Sequence, residues 1–167
     1  MIQLNTPMES FKNFFLETSE QEKDIKQTLA KIPKTHSILI KGYKFKWESG
    51  NTLKAHNDHV GIINPNTKSV TIAAPWNYGR SFTLLHELAH LVWEHKMTPE
   101  LKKQWEELIK RTKPKQKKDL PKKSKSSLDQ NAEEIFCMVY ATHYAQHTID
   151  TYNKTEWIEF IKNKIPR

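Results

Sequence analysis

The run FTLLHELAHLVWEH, Phe82 to His95, constrains this chain more than any other stretch. Leu84, Leu85, Leu88, Ala89, Leu91, Val92 and Trp93 concentrate so much apolar surface there that the segment has to be a buried helix. Yet His86, Glu87 and His90 lie within it, and imidazole and carboxylate groups are costly to bury without a partner. Something must compensate for them.

A chain of 167 residues with five Trp, five Tyr and seven Phe has the length and the large side chains for one packed domain, expected over 1–167. No apolar run approaches the length of a transmembrane span, and the opening MIQLNTPMESFKNFF lacks the pattern of a secretory signal. A single cysteine, Cys137, excludes an internal disulfide. These features predict a cytoplasmic protein without a membrane partner. The net charge of +8 is local: Lys96 to Lys125 holds twelve Lys or Arg against four acids, and the rest is balanced. Any electrostatic partner must therefore be met by that segment.

Along the chain, Thr6-Pro7-Met8-Glu9 carries the cap, proline and closing acid of a helix start, and Ser19-Glu20-Gln21-Glu22 begins a second helix with Ile25, Leu29 and Ile32 on one face. From His36 we expect strands, because Tyr43, Phe45 and Trp47 alternate with Lys44 and Lys46. Val60–Asn64 and Ser69–Ala74 flank Pro65-Asn66-Thr67-Lys68, a hairpin signal. Gly79 and Ser81 introduce the apolar helix, and Thr98-Pro99-Glu100 starts another with Leu101, Trp105, Leu108 and Ile109 as its buried stripe. Lys113 to Ser127 is rich in Lys, Pro and Ser and reads as a basic, mobile insertion at about 112–127. Beyond it we expect a helix over 128–147 capped by Ser127, and a last one after Asn153 with Trp157, Ile158 and Ile161. Helices, a small sheet and then mainly helices make an α+β arrangement.

His86-Glu87-Leu88-Ala89-His90 is an HExxH motif. On a helix, residues four apart stack about 6 Å apart along the axis, so both imidazoles can reach one ion. Glu87 is turned about 100° from His86, which keeps it off the ion but within reach of a water that the ion activates. Zinc hydrolysis needs that division of labour. A third ligand is still required. Lys96 stands where a further histidine would complete the metzincin pattern, so an acid from a later helix is the alternative, and NAEEIFCMVYA offers Glu133 and Glu134. The small Cys137 one turn beyond Glu134 would let two helices approach closely, which favours Glu134.

Arg80 to His95, RSFTLLHELAHLVWEH, resembles the ImmA/IrrE metallopeptidases, whose Arg-x-Phe-Thr-Leu run leads into HELGH and a further histidine. Glu134-Ile-Phe-Cys137-Met-Val-Tyr140-Ala141 is similar to that family's second motif, Glu-x-x-Ala-Asn-x-Phe-Ala, and to a related one in lethal-factor-like peptidases that is preceded by an asparagine, as Asn131 precedes it here. The resemblance implies a zincin-like α+β domain, with a small twisted sheet packed on the HExxH helix and helices at both ends. It also implies Zn2+ held by His86, His90 and Glu134, with Glu87 as the general base. This sequence has Ala89 for the usual glycine and Cys137 and Met138 for Ala and Asn. The tyrosine that lethal-factor-like enzymes place before the glutamate ligand has no counterpart between Ser124 and Gln130.

The expected function is a zinc-dependent endopeptidase of the gluzincin type in which an activated water attacks a peptide bond of a protein partner. The resemblance suggests a DNA-binding repressor as that partner. The alternative is a basic nucleic-acid-binding or protein-interaction module with a structural zinc. Nucleic acid is the weaker expectation, since no aromatic residue between Trp105 and Leu128 could stack on a base. The pairs His56/His59 and His143/His147 read as solvated or hydrogen-bonded histidines, Tyr140 and Tyr144 as core residues before oxyanion donors, and Cys137 as a small buried side chain.

Overall fold

A computed structural model describes residues 20–49, 61–74, 79–112, 131–146 and 152–167. The helix start at Thr6, the His56/His59 pair, His147 and the basic insertion lie outside the described residues. Residues 20–29 form the first helix, α1, and are followed by a one-turn helix α2 (Lys34–Ser37) and a 3-10 turn at Ile38–Ile40. Three strands come next, β1 (Lys44–Ser49), β2 (Gly61–Asn64) and β3 (Ser69–Ala74). Four helices complete the order: α3 (Gly79–His95), α4 (Pro99–Thr112), α5 (Ala132–Ala145) and α6 (Thr155–Lys164). The arrangement is α+β, as expected. Among the described residues no helix is long and apolar enough to cross a membrane.

The sheet is mixed, in the order β1-β3-β2. β1 runs parallel to β3 with Lys44 opposite Ser69, and β2 returns antiparallel with Asn64 opposite Ser69. The hairpin between them turns at 65–68 as its sequence predicts: Asn64 Oδ1 accepts from the backbone N–H groups of Asn66 and Thr67, and Lys68 adopts φ 47° to close it. Period-two alternation buries Val70 and Ile72 and half-buries Phe45, Trp47 and Ile63 on the face toward α3, leaving Lys44, Lys46 and Asn64 outside.

α3 occupies the centre. Leu85, Leu88, Ala89 and Val92 are fully buried, because the sheet covers one side of the helix and α5 another. Behind α5, the indole of Trp105 on α4 packs edge-on against Phe136 and also meets Trp157 and Phe160 of α6. Polar bonds lock this cluster: Trp157 Nε1 donates to Thr112 Oγ1 at 2.7 Å, and the Lys154 ammonium donates to the Thr112 carbonyl at the C-terminus of α4, where a cation is favoured.

Three sequence expectations differ from the fold. Residues 36–40 are helical rather than extended: the carbonyl of Pro33 accepts from the amides of both His36 and Ser37, so the proline opens a turn, and alternation governs the backbone only from Lys44. α5 is capped by Asn131, not Ser127, and ends at a left-handed Gln146. α6 takes Lys154, not Asn153, as its N-cap, with no side-chain cap bond.

Candidate metal centre

Helical periodicity stacks His86 and His90 on one face of α3, with ring centroids 5.2 Å apart and planes nearly perpendicular. Glu134 meets both from α5. Its Oε2 lies 3.4 Å from His86 Nε2 and its Oε1 lies 3.6 Å from His90 Nε2. One donor atom from each of the three residues falls within 4.8 Å of the others. The two carboxylate distances are longer than a charge-assisted hydrogen bond of about 2.7–2.9 Å. They are close to the roughly 3.3 Å that separates donors arranged tetrahedrally at about 2.0–2.1 Å from one ion. His86, His90 and Glu134 therefore fit a metal ion and could hold one.

The start of α5 sets where Glu134 points. Asn131 Oδ1 accepts the Glu134 backbone N–H at 2.8 Å, satisfying one of the helix's open donors. Trp105 Nε1 donates to the Ala132 carbonyl at 2.8 Å, which ties the same turn to the aromatic cluster. Glu133, the neighbouring acid, turns to the outside of the pair: its Oε1 lies 2.8 Å from His90 Nδ1. The two acids thus have different partners, and Glu134 is the one that faces both Nε2 atoms.

Glu87 is only 6% exposed. Burial pushes its carboxyl pKa above the ordinary value, while the nearby His86 and His90 pull it down, Glu134 adds to the rise, and a hydrogen bond from the Ile63 backbone amide opposes it. β2 comes that close because residue 61 is glycine. A Cβ there would lie 2.7 Å from both Cγ and Oε1 of Glu87 and 2.8 Å from Cγ2 of Thr83. The residues converge on an open cleft of about 980 Å³ whose walls include Ile62 and Ile63 of β2, Trp93 and Glu94 of α3, and Lys102 of α4. Lys102 lies over the Trp93 ring at 5.1 Å.

The other candidates fall elsewhere. Tyr140 is fully buried with its hydroxyl 2.9 Å from His36 Nδ1, the core role expected for it. His143 is half-buried against the Tyr144 ring, and neither lines the cleft. His95 is exposed beside Glu94. Cys137 is buried, and desolvation, with the carboxylates of Glu134, Glu133 and Glu87 nearby, holds its thiol well above the usual range, so it stays protonated. Two features are only faintly marked in the sequence: the division of labour between Glu133 and Glu134, at which the small Cys137 hints, and the backbone contact of β2 with Glu87. Gly61 at the head of a strand is the one sign of the latter, since glycine in a strand often marks a close approach.

No family model matches the chain, and no curated protein or solved structure matches it.

Proposed function

We propose that the protein is a zinc-dependent endopeptidase, with His86, His90 and Glu134 as the metal ligands and Glu87 as the general base. One observation carries this proposal: a buried carboxylate stands beside a His-His-Glu donor set at the wall of an open cleft. Two imidazoles and a carboxylate are a common ligand set of catalytic zinc, which keeps a further position open. A zinc ion held there supplies Lewis acidity, polarising a substrate carbonyl and acidifying water to a pKa of about 7. The remaining work belongs to the chain.

Glu87 takes the proton of the attacking water and passes it to the departing amine. The close approach of Gly61 on β2 confines the carboxylate for that transfer. Among the described residues β2 ends the sheet on the cleft side, so an extended peptide can lie along its outer edge, with the exposed Ile62 beside it. By the resemblance of Arg80–His95 and Glu134–Ala141 to the ImmA/IrrE metallopeptidases, the substrate is a protein partner cut for regulation, a DNA-binding repressor being the class that the resemblance suggests. The same proposal puts the enzyme in the cytoplasm, where the lone thiol of Cys137 would stay reduced.

The test is Glu87→Gln. The variant should bind zinc as the wild type does, and lose cleavage of a protein substrate by roughly 10²- to 10⁴-fold, the usual contribution of a positioned base. Undiminished cleavage would overturn the assignment.

A further inference from the structure

The geometry points to Glu133 as the positioning residue of the metal centre: it holds His90 in the tautomer and orientation that present Nε2 to the ion. This inference rests on the metal reading of the site and goes beyond the ligand set.

A carboxylate can only accept, so the 2.8 Å contact between Glu133 Oε1 and His90 Nδ1 places the ring proton on Nδ1. In the neutral ring Nε2 is then left with its lone pair, on the side facing Glu134 Oε1 at 3.6 Å. A neutral imidazole must present that lone pair to bind a metal, and a carboxylate on its far nitrogen makes it the stronger donor. Glu133 is adjacent to Glu134 and so projects about 100° away around α5. One helical turn thus supplies both the carboxylate that faces the pair and the carboxylate that orients one ring. Asn131 and Trp105 hold that turn from either side, so Glu133 is positioned before any ion arrives. His86 differs: its Nδ1 is buried without a hydrogen-bond partner among the described residues. Among the described residues the two rings are therefore unequal, and His90 is the one with a partner that sets its orientation in advance.

Glu133 is about one-third exposed, so its removal leaves no empty core and no buried charge behind. The experiment is a zinc titration of the full-length, metal-free protein against a competing chelator, for wild type, Glu133→Ala, Glu133→Gln and Glu134→Ala. Glu133→Ala should weaken zinc by roughly 10- to 100-fold with the thermal midpoint of the metal-free protein unchanged. Glu133→Gln keeps an oxygen that accepts from Nδ1–H and should recover part of the loss, and Glu134→Ala should lose more than either. Histidine 15N spectra of the metal-free protein should show the Nδ1–H form of His90 in wild type and its loss in Glu133→Ala. Wild-type affinity in Glu133→Ala overturns the inference. A larger loss for Glu133→Ala than for Glu134→Ala also overturns it, by making Glu133 a ligand. A wild-type chain that binds no zinc sinks the metal reading itself, and this inference with it.

Discussion

His36 shows how far single residues decide the interior away from the cleft. It is 1% exposed, with Nε2 2.8 Å from the Pro166 carbonyl and Nδ1 2.9 Å from the Tyr140 hydroxyl. The carbonyl can only accept, so Nε2 carries the proton and Nδ1 accepts from Tyr140. Burial pushes the His36 pKa below its ordinary 6.5; the Pro166 bond opposes this, and the charges of Lys96 and Arg167 add to it. Between 6.5 and that lower value the unfolded chain binds a proton that the folded one refuses. The contribution of His36 to stability is therefore fully present above pH 6.5 and is lost as pH falls through this window. His143, also lowered by burial, acts in the same direction. Denaturant unfolding of the metal-free protein should show this decline. Histidine 15N spectra should show His36 neutral, as the Nε2–H tautomer, at a pH where an exposed histidine is half protonated. A His36 that titrates like an exposed histidine contradicts the buried pairing.

Between elements, the contact of β2 with α3 is the most demanding, because Gly61 lies directly against Thr83 and Glu87. Gly61→Ala must move the strand or the glutamate, and overpacking of this kind costs about 1–3 kcal/mol. We expect a lower thermal midpoint and a loss of hydrolysis larger than the loss of zinc affinity, since the proposed ligands lie on α3 and α5 while the displaced group is the proposed base. Equal losses of both would mean that β2 does not fix Glu87. Gly61 marks one side of such a contact, but no local pattern names its partner, because the contact joins residues more than twenty positions apart. Several local signals match the fold: the apolar crowding of α3, the hairpin at 65–68, and Thr98 as the start of α4, where its Oγ1 accepts the Leu101 amide. Residues 36–40 depart from the extended expectation because the alternation begins only at Tyr43 and the turns before it are set by the Pro33 carbonyl. At α5, Ser127 and Asn131 are both competent caps, and the bond to the Glu134 amide decides for Asn131. Choosing between Glu133 and Glu134 requires the rotation of α5 against α3. The small Cys137 only hinted at it, and the distances supply it.

For the molecule as a whole, the donor set sits on the seam between its two central helices. His86 and His90 belong to α3 and Glu134 to α5, and α5 is in turn fastened to α4 and α6 through Trp105 and its aromatic neighbours. An ion bridging that seam binds the folded chain and finds no such site in the unfolded one, so its binding energy adds to stability. At 100 times the dissociation constant the gain is about 2.7 kcal/mol. For a chain of this size each kcal/mol raises the midpoint by roughly 2–4 °C. Zinc should therefore shift the thermal midpoint of the wild type upward by roughly 5–11 °C at that excess, and a chelator should return it. Glu87→Gln should keep the full shift, since the proposal gives its carboxylate no bond to the ion. Glu134→Ala should lose most of the shift, and Glu133→Ala should show it only at higher zinc. A midpoint indifferent to zinc in the wild type would mean that the two helices are held by packing alone, and that the cluster between them is not a metal site.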